Sequence, residues 1–400
     1  MARILNSLIS RLGCVYLDPK EYLTNKKFCP IPWTGFMYNF DGSVKHCIRN
    51  PETLGSLVEK NIHDIVCGSQ AIQNKTSMRQ GTGCNSCHVC HDLEQEKNSF
   101  DIISDRVFYL KELKTVNSSV YDHPENFELN KTDIRWSNVC NFACIYCWPE
   151  FSSKWATELE VTIQTPPEER VQELKQWVLA NTTNLKHVYL AGGEPLLMKE
   201  NQELLLALRE QNPGVNIRVN TNLSKVDTKV FDLLCGFKNV HWTVSVEAIE
   251  DEYEYIRYGG KWSDFLDNLA VIQKLNHKIS FNMLHFMLNY VSIFDCIDFL
   301  SGMGFHNNSF IVGPLLTPDY LNIRHLPEHM LNSLKSILDK RIAKSSGFLL
   351  EDGLRNMQQY INTPVDKHIE MSLQRIQVLD QRRGLDSRKV FSKFYKSLGE

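Results

Sequence analysis

The chain has 400 residues, 42% of them hydrophobic and 10% aromatic, and a formal net charge of −3. This length accommodates two or three domains with a sizeable core, and the composition excludes disordered, collagen-like and low-complexity classes. Near-neutral charge gives no overall case for a nucleic-acid or membrane-surface binder. No window approaches the ~18 uninterrupted apolar residues of a membrane span, and MARILNSLISRLG at the N-terminus lacks a small-residue cleavage site, so a cytoplasmic protein is expected.

From the N-terminus, residues 1–125 read as loop-rich and hold seven of the twelve cysteines. Cys29 opens CPIPW, and Asp41-Gly42 between NF and SVKH reads as a hairpin turn that folds Cys47 back toward Cys29. Cys84, Cys87 and Cys90 follow at CX2CX2C spacing, with His88 and His91 between and beside them and Glu94 beyond. A secreted disulfide framework calls for a short chain with a signal peptide, so thiols clustered in this setting read as metal-binding or redox-active. Structural zinc is one alternative for this group. Cys14, Cys67, Cys235 and Cys296 lie in apolar or helical contexts and read as packed thiols.

Residues 131–313 alternate β-branched runs with helical stretches, the pattern of parallel βα units. Strands are predicted at 132–137, 187–191, 215–220, 240–247, 278–286 and 308–313, and helices near 166–180, 199–211, 226–236, 262–276 and 292–303. Six strands and five helices fit an open doubly wound sheet or a partial barrel. Immediately after the first strand stands Cys140-Asn-Phe-Ala-Cys144-Ile-Tyr-Cys147. In parallel folds the chemistry sits at the C-terminal ends of strands, and three thiolates from one loop can occupy three corners of a cubane cluster, leaving one iron open. Zinc sites prefer paired knuckles with four closed ligands. Gly192-Gly193-Glu194-Pro195 follows the second strand and faces the same mouth; paired glycines admit close backbone approach, and Glu194 can accept from an ammonium group. Residues 326–397 read as helical, with Gly384 as a stop. The basic stretch 375–396 reads as a solvated helix face, with docking of an anionic partner as the alternative.

CX3CX2C with Tyr146 before its last cysteine, followed by GGEP, resembles the radical S-adenosylmethionine (radical SAM) superfamily. The resemblance implies an α/β fold, a partial (β/α)6 TIM-like barrel over 126–320. Cys140, Cys144 and Cys147 would hold a SAM-binding 4Fe-4S cluster whose open iron takes the amino and carboxylate groups of SAM. One electron would cleave the sulfonium to methionine and a 5′-deoxyadenosyl radical that abstracts a substrate hydrogen. Carried over by motif position, Gly192, Gly193 and Glu194 would hold the methionine ammonium, and Asn222 would join them from the end of the third strand. Ser245 and Glu247 would bind the ribose hydroxyls and Tyr146 would lie near adenine. Arg257 in YEYIRYGG is a candidate for the SAM carboxylate, with a helix-surface salt bridge as its alternative.

CPxPW, DGxVxxC and CxxCxxxE resemble the twitch or SPASM-type auxiliary cluster domain, which implies a second 4Fe-4S cluster on Cys29, Cys47, Cys87 and Cys90 within 1–125, with Cys84 able to replace one of them. Residues 321–400 then form a helical C-terminal extension. The function implied is a radical SAM enzyme modifying a peptide or protein side chain, with a small sugar or nucleotide metabolite as the rival substrate. Its partners would be that substrate and an electron donor such as flavodoxin or ferredoxin, with no membrane and no nucleic acid. The alternative of another class is a non-catalytic, metal-stapled binding protein.

Overall fold

The computed structural model describes residues 25–95, 104–112, 118–345 and 349–399; Cys14 and the N-terminal stretch read for a cleavage site lie outside them. The chain divides into two compact units, one from residues 1–37 and 43–132, the other from 38–42 and 133–400.

The first unit carries more helix than its sequence suggests. After the short turn α1 (Ile31–Thr34), strand β1 (Gly35–Asn39) runs to the tight turn at Gly42, whose φ of +92° only glycine adopts readily. Strands β2 (Ser43–Lys45) and β3 (Gly55–Ser56) pair antiparallel. Helices α2 (Ile62–Val66), α3 (Ser69–Arg79), α4 (His88–Gln95) and α5 (Asp105–Glu112) follow. The α3 sequence SQAIQNKTSMR has almost no apolar stripe, so periodicity misses it. It is held instead by buried Ala71 and Met78 and by Lys75, whose ammonium donates to the carbonyls of Val66 (3.3 Å) and Asn126 (3.0 Å). A small core of Phe28, Trp33, Met78, Leu110, Val120 and Tyr121 packs against Cys29, Cys84 and Cys87.

The second unit contains the βα units. Strands β4 (Lys131–Arg135), β5 (His187–Leu190), β6 (Asn216–Thr221), β7 (Val240–Ser245), β8 (Lys278–His285) and β9 (Phe310–Pro314) lie side by side in chain order. From β5 to β9 every pairing is parallel, with Leu190, Val219, Trp242 and Ile279 in register across four strands. Parallel neighbours need crossovers, supplied by α7 (Glu168–Ala180), α8 (Lys199–Gln211), α9 (Lys229–Cys235), α11 (Trp262–Gln273) and α12 (Ser292–Gly302). These are the six strands and five helices expected, in the partial-barrel arrangement. Two short helices were not expected: α6 (Ser153–Glu158), started by the Ser152 hydroxyl accepting from the Trp155 N–H (3.2 Å), and α10 (Glu250–Ile256). Both are too short for a periodic signal.

After β9 the chain is helical, through α13 (Glu328–Lys344), α14 (Leu349–Ile361), α15 (Ile369–Arg383), α16 (Ser387–Val390) and α17 (Ser392–Leu398), all within the second unit. Gly384 ends α15 in the left-handed conformation, as its sequence position suggests. Among the described residues no helix is long and apolar enough to cross a membrane.

Candidate active site

The loop leaving β4 carries Cys140, Cys144 and Cys147 and is fastened on three sides. On one side the GGEP segment lies against it: the Gly193 and Glu194 N–H groups donate to the carbonyls of Ser137 (3.3 Å) and Val139 (2.7 Å). A Cβ on Gly193 would stand 2.2 Å from the Val139 carbonyl oxygen, so only glycine permits this approach. On a second side, the backbone at the end of α10 accepts from the loop, Ile256 from the Ile145 N–H (2.9 Å) and Tyr258 from the Ala143 N–H (2.8 Å). On the third, the Trp155 indole N–H donates to the Cys144 carbonyl (2.7 Å).

Burial pushes all three thiols up, each against the charge of its neighbours: Cys140 feels Cys144 and Cys147, and Cys147, raised to about 12, feels Cys144. Burial also raises Cys144, while the nearby Arg257 guanidinium works in the opposite sense. Thiols must ionise to ligate metal, and three crowded thiolates out of water need a cationic centre between them. Among the described residues no three His, Cys, Asp or Glu side chains converge tightly enough for one metal ion; the sulfurs around a cubane stand farther apart than the ligands of one ion. The donor set fits an iron–sulfur cluster.

The remaining predicted residues gather at the ends of β5 to β7, but several are engaged with one another. Glu194 is fully buried and accepts from the Thr221 hydroxyl (2.7 Å), the Asn222 N–H (2.7 Å) and the Leu196 N–H (3.2 Å). Burial lifts its carboxyl to about 7, and these bonds pull the other way. Its carboxylate thus ties the GGEP turn to the end of β6. Asn222 spans the site, its amide reaching Asn141 Oδ1 (3.2 Å) and approaching the Cys140 sulfur (3.8 Å). Glu247 and Arg257 form a buried fork, with Nε to Oε2 at 2.8 Å and Nη2 to Oε1 at 2.6 Å; Tyr146 donates its hydroxyl to Oε1 (2.9 Å). Arg257 is 2% exposed, so its ion pair is not on the helix surface, and its Nη1 faces the Cys144 sulfur at 4.0 Å. Ser245 ends β7 half-buried, and its hydroxyl makes no hydrogen bond among the described residues.

Several residues around the loop escaped the sequence reading: Trp155, Tyr258, Tyr320, whose hydroxyl donates to the Ile145 carbonyl (2.9 Å), and Arg383. A usable signal existed for Tyr258, the Gly259-Gly260 pair after it. A Cβ on Gly260 would meet the Phe142 ring at 2.8 Å.

In the first unit, Cys29, Cys47, Cys87 and Cys90 lie close enough to influence one another: Cys29 feels Cys47 and Cys90, Cys87 feels Cys29 and Cys47, and Cys90 feels Cys47. Burial pushes Cys29 up, as it does Cys47 and Cys90. Cys47 is thus folded toward Cys29 as the turn at Gly42 suggests. Cys84 turns to Glu52 and Ser86, whose hydroxyl lies 2.8 Å from its sulfur; hydrogen bonding from Cys87 brings it down to about 6, and Cys87 goes up. Glu94 forms a fork with Arg106, which also donates to the Phe28 carbonyl (2.9 Å) beside Cys29. His88 is exposed and His91 buried. Among the thiols read as packed, Cys296 is fully buried and Cys67 and Cys235 are half-buried.

Residues 134–300 match the family model described as the radical SAM superfamily. Curated relatives include the GTP 3′,8-cyclase of Campylobacter lari (22% identical over 146 residues, 36% of this chain and 42% of the relative) and that of Nautilia profundicola (25% over 171 residues, 41% and 50%). The sporulation killing factor maturation protein SkfB of Bacillus subtilis is 26% identical over 147 residues, 36% of this chain and 32% of the relative. The chain thus spans half or less of the length of these relatives. A solved structure of Streptococcus suis SuiB bound to precursor peptide SuiA is 15% identical, with a TM-score of 0.41 over 71% of this chain and 62% of that one. The loop of three thiols, the GGEP turn pressed against it and the matched span together identify residues 134–300 as a radical SAM domain, the domain of a superfamily of enzymes whose cofactors are a 4Fe-4S cluster and SAM.

Proposed function

We propose that the second unit binds a 4Fe-4S cluster through Cys140, Cys144 and Cys147 and SAM beside it, and that the first unit binds an auxiliary 4Fe-4S cluster through Cys29, Cys47, Cys87 and Cys90. The observation that carries this reading is the rigidly fastened loop whose three thiols have no fourth cysteine beside them in sequence. Together, cluster and SAM supply one-electron cleavage of the sulfonium and the 5′-deoxyadenosyl radical that takes a substrate hydrogen. The protein's residues position and shield them. Gly192 and Gly193 would offer backbone to the methionine end, Asn222 approaches the Cys140 sulfur, and the Ser245 hydroxyl would bind a ribose hydroxyl. Glu247 and Arg257 would meet SAM as a pair: Arg257 lends positive charge near Cys144, and Glu247 holds Tyr146 in place. Cys84 is left as a thiol adjoining the auxiliary set. An electron donor of the flavodoxin or ferredoxin type and a cytoplasmic setting complete the reading.

The substrate we favour is a peptide or protein side chain, in line with the SkfB relative, named for maturation of a killing factor. A nucleotide is the second reading, favoured by the GTP 3′,8-cyclase relatives. The test is anaerobic: brown protein with about eight irons, forming 5′-deoxyadenosine from SAM and reductant. Replacing Cys144 by Ala should abolish that product and leave about four irons. A colourless protein with one or two zinc ions would return the chain to the metal-stapled binding class. Transfer of deuterium into 5′-deoxyadenosine from labelled peptides, or from labelled GTP, decides between the substrates.

A further inference from the structure

Of the seven basic residues in the stretch 375–396, Arg383 departs from the solvated face expected there. Its side chain is 1% exposed, although it lies more than eighty residues beyond the span that matches the superfamily. The guanidinium is sandwiched between the rings of Trp155 and Tyr258, 4.3 Å from each centroid. Nε and Nη2 donate to the two oxygens of Glu158, both at 3.0 Å, while Nη1 is buried with no acceptor. Both walls of the sandwich hold the cysteine loop: Trp155 donates to the Cys144 carbonyl (2.7 Å) and the Tyr258 carbonyl accepts from Ala143 (2.8 Å). Asp380, one turn earlier on α15, accepts from the Tyr255 hydroxyl (2.7 Å), so the same helix also anchors the segment that carries Arg257.

A buried cation stacked on two rings and forked to a carboxylate is a rigid, directional clamp. A surface-exposed pair would be worth little; here the rings exclude water, and the spare N–H leaves the charge incompletely neutralised on the side away from Glu158. We propose that Arg383, supplied by the C-terminal helices, is a positioning residue of the SAM-cluster site: through Trp155 and Tyr258 it fixes the cysteine loop, and its charge raises the reduction potential of the cluster held there. The inference rests on the assignment of a cluster to Cys140, Cys144 and Cys147.

The test is a redox titration of full-length, anaerobically reconstituted protein, following by EPR the cluster whose signal changes on adding SAM. Arg383→Gln should move the midpoint to more negative potential by about tenfold in the reduction equilibrium, ~59 mV for one electron, the order a buried unit charge contributes at an effective dielectric near 20. Arg383→Lys should recover most of the shift. Glu158→Gln, which keeps the cation and removes its counter-charge, should move the midpoint the opposite way, and it decides the matter if Arg383→Gln does not fold. Reduction equilibria within twofold of wild type in both glutamine variants, or the same sign of shift in both, would overturn the inference. Wild-type protein with no SAM-responsive signal would instead overturn the cluster assignment, and the inference with it.

Discussion

The fork between Glu247 and Arg257 sets the largest stability effect expected from one substitution in the second unit. Arg257→Met removes two N–H donors at 2.6 and 2.8 Å and leaves the Glu247 carboxylate, 1% exposed, with the Tyr146 hydroxyl and the Leu284 backbone N–H but no counter-charge. Breaking a buried pair by removing one partner costs about 3–5 kcal/mol, because the abandoned charge stays out of water. For a unit of this size, at roughly 2 °C per kcal/mol, the melting midpoint should fall by about 6–10 °C. Part of the loss is capped, since the stranded carboxyl can take up a proton; burial already raises it, and Arg257 is the largest influence opposing that. The double variant Glu247→Met with Arg257→Met removes both charges, and apolar replacement of a whole buried pair is often neutral or better. It should therefore melt closer to wild type than Arg257→Met does. Calorimetry on apo-protein, free of any contribution from bound cofactors, measures all three. An Arg257→Met midpoint within 2 °C of wild type, or strictly additive losses in the double variant, would refute the argument that these groups are buried against each other.

Gly193→Ala places a Cβ 2.2 Å from the Val139 carbonyl oxygen. Overpacking of this kind costs about 1–3 kcal/mol, and because the displaced backbone leads into Cys140, iron retention and 5′-deoxyadenosine formation should fall together. His285 is fully buried, with its ring nitrogen Nε2 on the Tyr290 carbonyl (3.0 Å), and burial pushes its pKa down to about 4. The folded state then binds fewer protons than the unfolded one between pH ~6.5 and ~4, so this contribution is complete above that window and is lost as pH falls through it. Glu194, raised to about 7, acts in the opposite sense, losing stability as pH rises toward 7. Comparing wild type with His285→Gln isolates the histidine: urea unfolding should show a shallower loss of stability in the variant between pH 7 and 5, by up to about 1.4 kcal/mol per pH unit. In the first unit, Arg106→Met unpairs Glu94 and frees the Phe28 carbonyl beside Cys29, so it should lower auxiliary iron content while leaving the SAM-responsive signal intact.

By itself, the sequence determined the βα alternation, all six strands of the second unit and the thiol clusters, because those signals are local. A parallel strand buried between helices favours an apolar, often β-branched run, and CX3CX2C keeps its three thiols within eight residues. Sequence position suggests separate roles for Glu247 and Arg257, yet only the folded chain pairs them with each other and with Tyr146, since α10 returns Arg257 to the end of β7. Helix α3 is invisible to periodicity, as it is held by tertiary contacts, among them the Lys75 ammonium on the Asn126 carbonyl, and not by an apolar stripe of its own. Arg383 shows most plainly what tertiary structure alone decides. In sequence it is one basic residue among seven, and only the packing of α15 against Trp155 and Tyr258 takes that one charge out of water and sets it behind the cysteine loop.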